Sequence, residues 1–266
     1  MNEAIMVRRR NERPAMTSLK TRLTQGESPL GVLLRMPAET LVDLAGVGGL
    51  DFVLIDCEHG PADLLALRAH IDAATVHGAE VLVRVGRNDS DLILRALDLG
   101  ASGIVVPHVD DAAAARRVVH DAHYPPLGDR GFAQYSRVGR YGAISAHDQL
   151  ADARANTLVI VMIETQQGVD NAEFILAVEG VDAVMAGPAD LSVSLGLTGG
   201  VDEPAVQVAV DHVTSEARKA GRHVLTIVGG PEKAVEAPPG LVAYNLAAVL
   251  LERFRHLAGA RDSART

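Results

Sequence analysis

The sequence predicts a single (β/α)8 barrel, and three observations carry that prediction. Eight short apolar, β-branched runs alternate with segments of helical spacing over about 230 of the 266 residues, close to the ~250 that such a barrel takes. The runs are apolar throughout rather than alternating, as expected of strands buried on both faces. A doubly wound sheet is the competing arrangement, but no G-x-G-x-x-G turn follows the first strand, which also argues against a nucleotide.

In chain order the expected strands are Gly31–Leu34, Phe52–Ile55, Val81–Val85, Gly103–Pro107, Leu158–Ile163, Val181–Ala186, Val224–Val228 and Leu241–Leu246. Between the second and third, Leu64, Leu67, Ile71 and Ala74 recur at helical spacing. After the third, Leu92, Ile93, Ala96, Leu97 and Leu99 do the same, and Gly100 closes that helix. After the fourth strand and helix comes Tyr124-Pro125-Pro126-Leu127-Gly128-Asp129-Arg130-Gly131, then a polar stretch to about Ala155; an insertion this long reads as an active-site lid or a subunit contact. Gly229-Gly230-Pro231 opens a seventh helix that Pro238-Pro239 cuts short; it resembles a barrel phosphate cup only weakly. Residues 1–17, with Arg8-Arg9-Arg10 but no apolar stretch behind them, read as a disordered leader and residues 259–266 as a flexible tail, leaving 18–258 as the barrel.

Composition excludes several classes of function. A formal charge of −9 argues against a phosphate-backbone binder. Four Phe, four Tyr and no Trp leave little for stacking on bases or sugars. No apolar run reaches the ~20 residues that span a bilayer. A lone cysteine, Cys57, rules out a disulfide framework and a cysteine zinc site and fits the cytoplasm.

In this fold chemistry gathers at the C-terminal ends of the strands, and four of those ends are polar. Strand two ends Asp56-Cys57-Glu58-His59-Gly60, strand three carries Arg84, strand five ends Glu164-Thr165, and strand six ends Gly187-Pro188-Ala189-Asp190. Each has a plain structural alternative: Arg84 as a buried ion-pair partner, Glu164 and Asp190 as helix caps, His59 as an ordinary histidine. Taken together they suit an enolate-forming site for a 2-oxo acid. Glu164 and Asp190 are hard oxygen donors for an octahedral Mg²⁺ or Mn²⁺. Arg84 offers a guanidinium fork to a developing enolate oxygen. Asp56 could set the tautomer of His59, making it a general base. Cys57 reads as buried and inert, His70, His77, His120, His212 and His256 as solvated, and His108 as a weaker candidate than His59. Only three residues are lysine, Lys20, Lys219 and Lys233, and none falls at a strand end, so a Schiff-base route is disfavoured and the metal is left to stabilise the carbanion.

Leu54-Ile55-Asp56-Cys57-Glu58-His59-Gly60, Tyr124-Pro125-Pro126-Leu127-Gly128-Asp129-Arg130-Gly131 and Gly187-Pro188-Ala189-Asp190-Leu191-Ser192, with Arg84 and Glu164 between them, resemble the metal-dependent class II pyruvate aldolases of the HpcH/HpaI family, 4-hydroxy-2-oxoheptanedioate aldolase type. The resemblance runs from about Leu19 to Leu257. It implies a pyruvate-binding barrel with a divalent ion (Mg²⁺, Mn²⁺ or Co²⁺) on Glu164 and Asp190, a His59–Asp56 base dyad and Arg84 on the pyruvyl oxygen. It further implies a pyruvate carboxylate on the Gly187–Asp190 backbone, a 2-oxo acid and an aldehyde as partners, and a homo-oligomer, commonly a hexamer, in which the last helix packs on a neighbour. Departures occur at Met162, where the family often has glutamine, at Asn245-Leu246-Ala247, where it often has Gly-Val-Asp, at the short seventh helix and in the segment 132–137. These leave room for another enolate condensation, such as a citrate-synthase-like step, or for a non-catalytic barrel.

Overall fold

The computed structural model describes residues 17–60, 63–198 and 200–263. Eight parallel strands close into a barrel in chain order: β1 (Leu30–Leu34), β2 (Phe52–Asp56), β3 (Glu80–Arg84), β4 (Gly103–Val106), β5 (Leu158–Ile163), β6 (Ala183–Ala186), β7 (His223–Val228) and β8 (Gly240–Asn245). Closure is made by β8 against β1, with Leu30 opposite Val242 and Leu33 opposite Asn245. The helices outside are α1 (Leu19–Thr24), α2 (Glu39–Val47), α3 (Leu64–Val76), α4 (Ser90–Asp98), α5 (Ala112–Ala122), α6 (Ala146–Asn156), α7 (Gln166–Asp170), α8 (Ala172–Leu176), α9 (Pro188–Ser194), α10 (Pro204–Lys219), α11 (Pro231–Glu236) and α12 (Leu246–Ser263).

Strand alternation divides the core into two layers, since successive side chains point to opposite faces. Leu33, Phe52, Leu54, Leu82, Val105, Ile160, Met162, Met185, Leu225 and Ala243 fill the barrel, while Val32, Leu34, Val53, Ile55, Val83, Ile104, Val161 and Val184 pack against the helices. Both faces of each strand are thus apolar, which is why the runs do not alternate. Short α1, capped by the Ser18 hydroxyl, adds Leu19 and Leu23 to the inner layer and so plugs the N-terminal end. There the Leu19 N–H donates to Glu80 (2.7 Å), and Lys20 Nζ donates to the Thr157 carbonyl (2.9 Å) beside Asp182.

The segment after α5 differs from expectation. Its polar second half forms α6, capped by Ser145. Its first half is tied to the lower end of α4: Arg130 Nη2 donates to Asp98 (2.6 Å) and the Val138 N–H to the Asp98 carbonyl (3.2 Å). Asp98 closes a helix that leads back to the start of β4, so this segment lines the wall and base of its own barrel and is no lid over the mouth. His70 is also corrected: it is buried, and its Nε2 accepts the Ala38 N–H (2.9 Å). At the C-terminal end, α12 carries residues 259–263, expected as tail, into a helix; residues 1–16 of the expected leader and 264–266 of the expected tail lie outside the described residues.

His123, at the C-terminal cap of α5, is buried, and among the described residues its Nε2 meets no hydrogen-bond partner. Burial, with help from Lys20 and Arg130, lowers its pKa to about 4. The unfolded chain, titrating near ~6.5, then binds the extra proton over the window between. Stability should fall as pH drops from about 6.5 to about 4, by at most ~1.4 kcal/mol per pH unit, and level off below that. Melting curves of wild type and His123→Gln between pH 7 and 4 check this; the same pH dependence in both would refute it.

Candidate active site

Alternation carries the inner face of four strands up to the barrel mouth. Above Leu54 comes Asp56, above Leu82 comes Arg84, and above Met162 comes Glu164; on β6 the corresponding step after Met185 is Gly187. Asp56, Arg84 and Glu164 are all buried, at 0%, 4% and 2% exposure.

Asp56 is the most heavily bonded group at the mouth. Arg84 forks it, with Nε on Oδ1 at 2.8 Å and Nη2 on Oδ2. Arg35 Nε donates to Oδ2 (2.7 Å), and the backbone N–H groups of Glu58 and His59 donate to Oδ1 (3.1 Å each). Burial pushes its pKa up, but these bonds and charges outweigh burial and hold it at about 2. Arg84 therefore has the ion-pair role open to it from sequence, while its Nη1 lies 3.9 Å from Met162 Sδ, a weak acceptor.

Two arrangements differ from those expected. Asp56 meets His59 through the backbone and not through the imidazole; the carboxylate beside that ring is Glu58, at 3.8 Å from Nε2. The His59 side chain is 57% exposed and open to the mouth. Nor is the whole Gly187–Asp190 backbone free to receive an anion: the Gly187 N–H donates to the Ile163 carbonyl (3.0 Å) and Pro188 has none. That leaves the N–H groups of Ala189 and Asp190, in the first turn of α9, where intrahelical acceptors are lacking.

Glu164 is held from one side by His108. Both the His108 N–H (2.8 Å) and its Nδ1 (3.0 Å) meet Glu164 Oε1. That double approach requires His108 to adopt φ +54°, a left-handed conformation that costs a non-glycine residue ~1–3 kcal/mol. His108 Nε2 in turn lies 3.6 Å from Glu58, which lies 3.5 Å from Arg84 Nε, so the polar groups of β2, β3, β4 and β5 form one connected set. The other oxygen, Oε2, sits against Gly187, where a Cβ would stand 2.9 Å from it. Burial raises the Glu164 pKa, and the negative charges of Asp190 and Glu58 push the same way, against His108.

Neither carboxylate caps a helix through its side chain. Thr165 caps α7, and α9 starts at Gly187 with no side-chain cap. Glu164 and Asp190 are thus two neighbouring carboxylates that repel each other. Among the described residues no three His, Cys, Asp or Glu side chains gather in a metal-holding cluster. A repelling pair of hard oxygen donors fits a divalent ion that keeps most of its coordination for water and substrate, and does not fit a closed structural site.

His108 thus stands closer to Glu164 than its sequence position suggests, and Arg35 and Glu58 join the site though the sequence alone assigns them no role. The inward alternation of Leu33 and Arg35 was the signal available for Arg35; the positive φ that brings His108 to Glu164 has no such signal. The three lysines lie elsewhere: Lys20 under the barrel, Lys219 paired with Glu216 (2.7 Å) and Lys233 with Glu236 (3.3 Å). Gly229-Gly230 directly precedes the six-residue α11, with Gly230 as its N-terminal cap.

The family description HpcH/HpaI aldolase/citrate lyase matches residues 31–238, from β1 through α11. The chain belongs to the HpcH/HpaI family. It is 36% identical over 210 residues to the 2-dehydro-3,6-dideoxy-6-sulfogluconate aldolase of Pseudomonas putida, covering 79% of this chain and 82% of that one. It is also 36% identical over 204 residues to the hydroxypyruvate/pyruvate aldolase of Pseudomonas aeruginosa, covering 76% and 75%. Among solved structures, the citrate synthase SbnG superposes with a TM-score of 0.83 at 28% identity, over 94% of this chain and 99% of that one. In this HpcH/HpaI chain the family match begins within β1 and takes in Arg35, Asp56, Arg84, His108, Glu164 and Asp190. Among the described residues no helix is long and apolar enough to cross a membrane.

Proposed function

We propose that this HpcH/HpaI enzyme is a divalent-metal-dependent aldolase that cleaves or forms 4-hydroxy-2-oxo acids through a pyruvate enolate, in the cytoplasm. The observation that carries the reading is the buried Glu164 carboxylate, repelled by Asp190 and sharing the mouth with the Arg84 guanidinium. Glu164 and Asp190 would hold Mg²⁺, Mn²⁺ or Co²⁺. Such an ion supplies Lewis-acid charge beside the carboxylate and keto oxygens of a 2-oxo acid.

The chain's own residues do the rest. The Ala189 and Asp190 N–H groups favour the substrate carboxylate, as free donors in a first helical turn do. His59, open to the mouth with Glu58 beside it, takes the proton of the C4 hydroxyl as a general base. The C3–C4 bond breaks, C4 leaves as an aldehyde, and the electron pair passes to the C2 oxygen, giving the pyruvate enolate. Arg84, already oriented by Asp56, faces that developing charge without reorganisation. Protonation at C3 yields pyruvate; the reverse is aldol addition.

A lactate-dehydrogenase-coupled assay with 4-hydroxy-2-oxo acids tests this reading: NADH oxidation is expected with added Mg²⁺ or Mn²⁺ and none with EDTA. Metal-independent cleavage would refute it. The likeness to a citrate synthase supports a second reading, in which oxaloacetate supplies the enolate; product analysis with oxaloacetate and an acceptor separates the two. Exposed Leu251, Phe254 and Leu257, three apart along α12, support packing of that helix on a second copy, with a hexamer the expected assembly. A monomer by sedimentation would refute that assembly.

A further inference from the structure

Arg35 stands where nothing in the proposed reaction uses it. The alternation that sends Leu33 into the barrel sends Arg35 to the mouth, one step above the end of β1. Its Nε is committed to Asp56 Oδ2 at 2.7 Å, while its two terminal amino groups make no hydrogen bond among the described residues, and the side chain is 38% exposed. Charge matters as much as geometry here. Asp56 is shared by two guanidiniums, those of Arg84 and Arg35, so this trio carries one net positive charge. The remaining carboxylate beside it, Glu58, faces Arg84, His59 and His108 instead. Glu58 thus balances the trio from the Arg84 side, and what Arg35 presents at the rim is a part-exposed guanidinium whose terminal donors are free.

Its place on that rim is set by a close backbone contact. A Cβ on Gly60 would lie 3.2 Å from both the Cα and the carbonyl oxygen of Arg35, so the end of β1 is packed directly against the loop that follows His59. A group leaving C4 beside the His59 base would thus extend past Arg35. The geometry points to Arg35 as the residue that recognises an oxyanion, a carboxylate or a phosphate, on the aldehyde half of the substrate, so that the preferred aldehydes are acidic. A guanidinium fixed through Nε keeps its terminal amino groups oriented for such a group at little entropic cost. This inference rests on the aldolase reading for the word aldehyde, though not for the anion site itself.

The test compares acidic and neutral acceptors in aldol addition to pyruvate: succinic semialdehyde against 4-oxopentanal for a carboxylate, and glyceraldehyde 3-phosphate against glyceraldehyde for a phosphate. In wild type the kcat/KM ratio should favour the acidic member of at least one pair, which also tells the two oxyanions apart. Arg35→Gln should slow both members, because Asp56 loses a partner, but should lower that ratio by a further factor of about ten or more, with the loss in KM; charge-assisted bonds are worth that much. Arg35→Lys should recover part of it. An equal loss for acidic and neutral aldehydes would reduce Arg35 to a support for Asp56 and overturn the proposal. A second measurement needs no turnover: calorimetric titration of succinate and of inorganic phosphate with pyruvate saturating. The better-bound anion should bind about tenfold more weakly to Arg35→Gln, and unchanged binding of both overturns the proposal. Absence of carbon–carbon chemistry in wild type, with Arg35-dependent anion binding intact, would defeat the aldolase reading and leave the anion site standing.

Discussion

Glu164→Gln and Asp190→Asn are each expected to lower kcat/KM by ~10²–10³-fold, the scale of losing a group that organises transition-state charge, while weakening Mn²⁺ binding in parallel. The same changes should leave the fold as stable as before or more so. Glu164 is buried, and Asp190 and Glu58 both disfavour its charge, so its ionised form is a cost to the folded chain. Removing that charge relieves repulsion, the pattern of a site kept for function against stability. Calorimetric Mn²⁺ titration, melting temperature and the coupled assay on the same variants check all three points. Retained activity with lost metal binding, or a fold that collapses on Glu164→Gln, would break the account.

The second large effect concerns Arg84. Arg84→Met should destabilise the protein by ~3–5 kcal/mol, because it leaves the fully buried Asp56 carboxylate with only Arg35 and backbone donors. The double variant Asp56→Asn/Arg84→Met should regain much of that stability, since it removes the stranded charge, but none of the activity. Chemical denaturation of the two variants and of Asp56→Asn closes the cycle. The pH sign follows from Asp56. Its folded pKa of about 2 lies below the ~3.9 of an unfolded aspartate. Its contribution is therefore complete above about pH 4 and is lost as pH falls through about 2, a loss that Asp56→Asn should abolish. An Arg84→Met protein as stable as wild type would show that the pair is not what holds this end of the barrel.

Much of this site could be read from strand periodicity alone. Each predicted run coincides with a strand to within one or two residues, because a strand buried on both faces leaves an unbroken apolar run. Once the strands are placed, alternation from Leu54, Leu82 and Met162 puts Asp56, Arg84 and Glu164 inside the mouth with no further information. Contacts made beyond the strand ends were out of reach. His108 meets Glu164 only because its backbone turns to positive φ, and Glu58, rather than Asp56, lies beside the His59 ring because the chain has left the strand by then. That the segment 124–145 is no lid is hidden from the sequence for a related reason. Its length marks it as special, but only the bonds from Arg130 and Val138 to Asp98 put it at the lower end of α4. The polar α6 shows no apolar stripe, having Gln149 as its buried residue, so periodicity could not reveal it.

In the proposed reaction this barrel makes a pyruvate enolate with the help of a divalent ion on Glu164 and Asp190. Exchange of the pyruvate C3 protons for deuterium, followed by proton NMR in D₂O, reads enolate formation with no aldehyde present. Exchange should be catalysed by the Mg²⁺- or Mn²⁺-loaded enzyme, cease with EDTA and return on adding metal back, and be lost in Glu164→Gln. Exchange that continues at the same rate after EDTA, or in Glu164→Gln, would contradict the account.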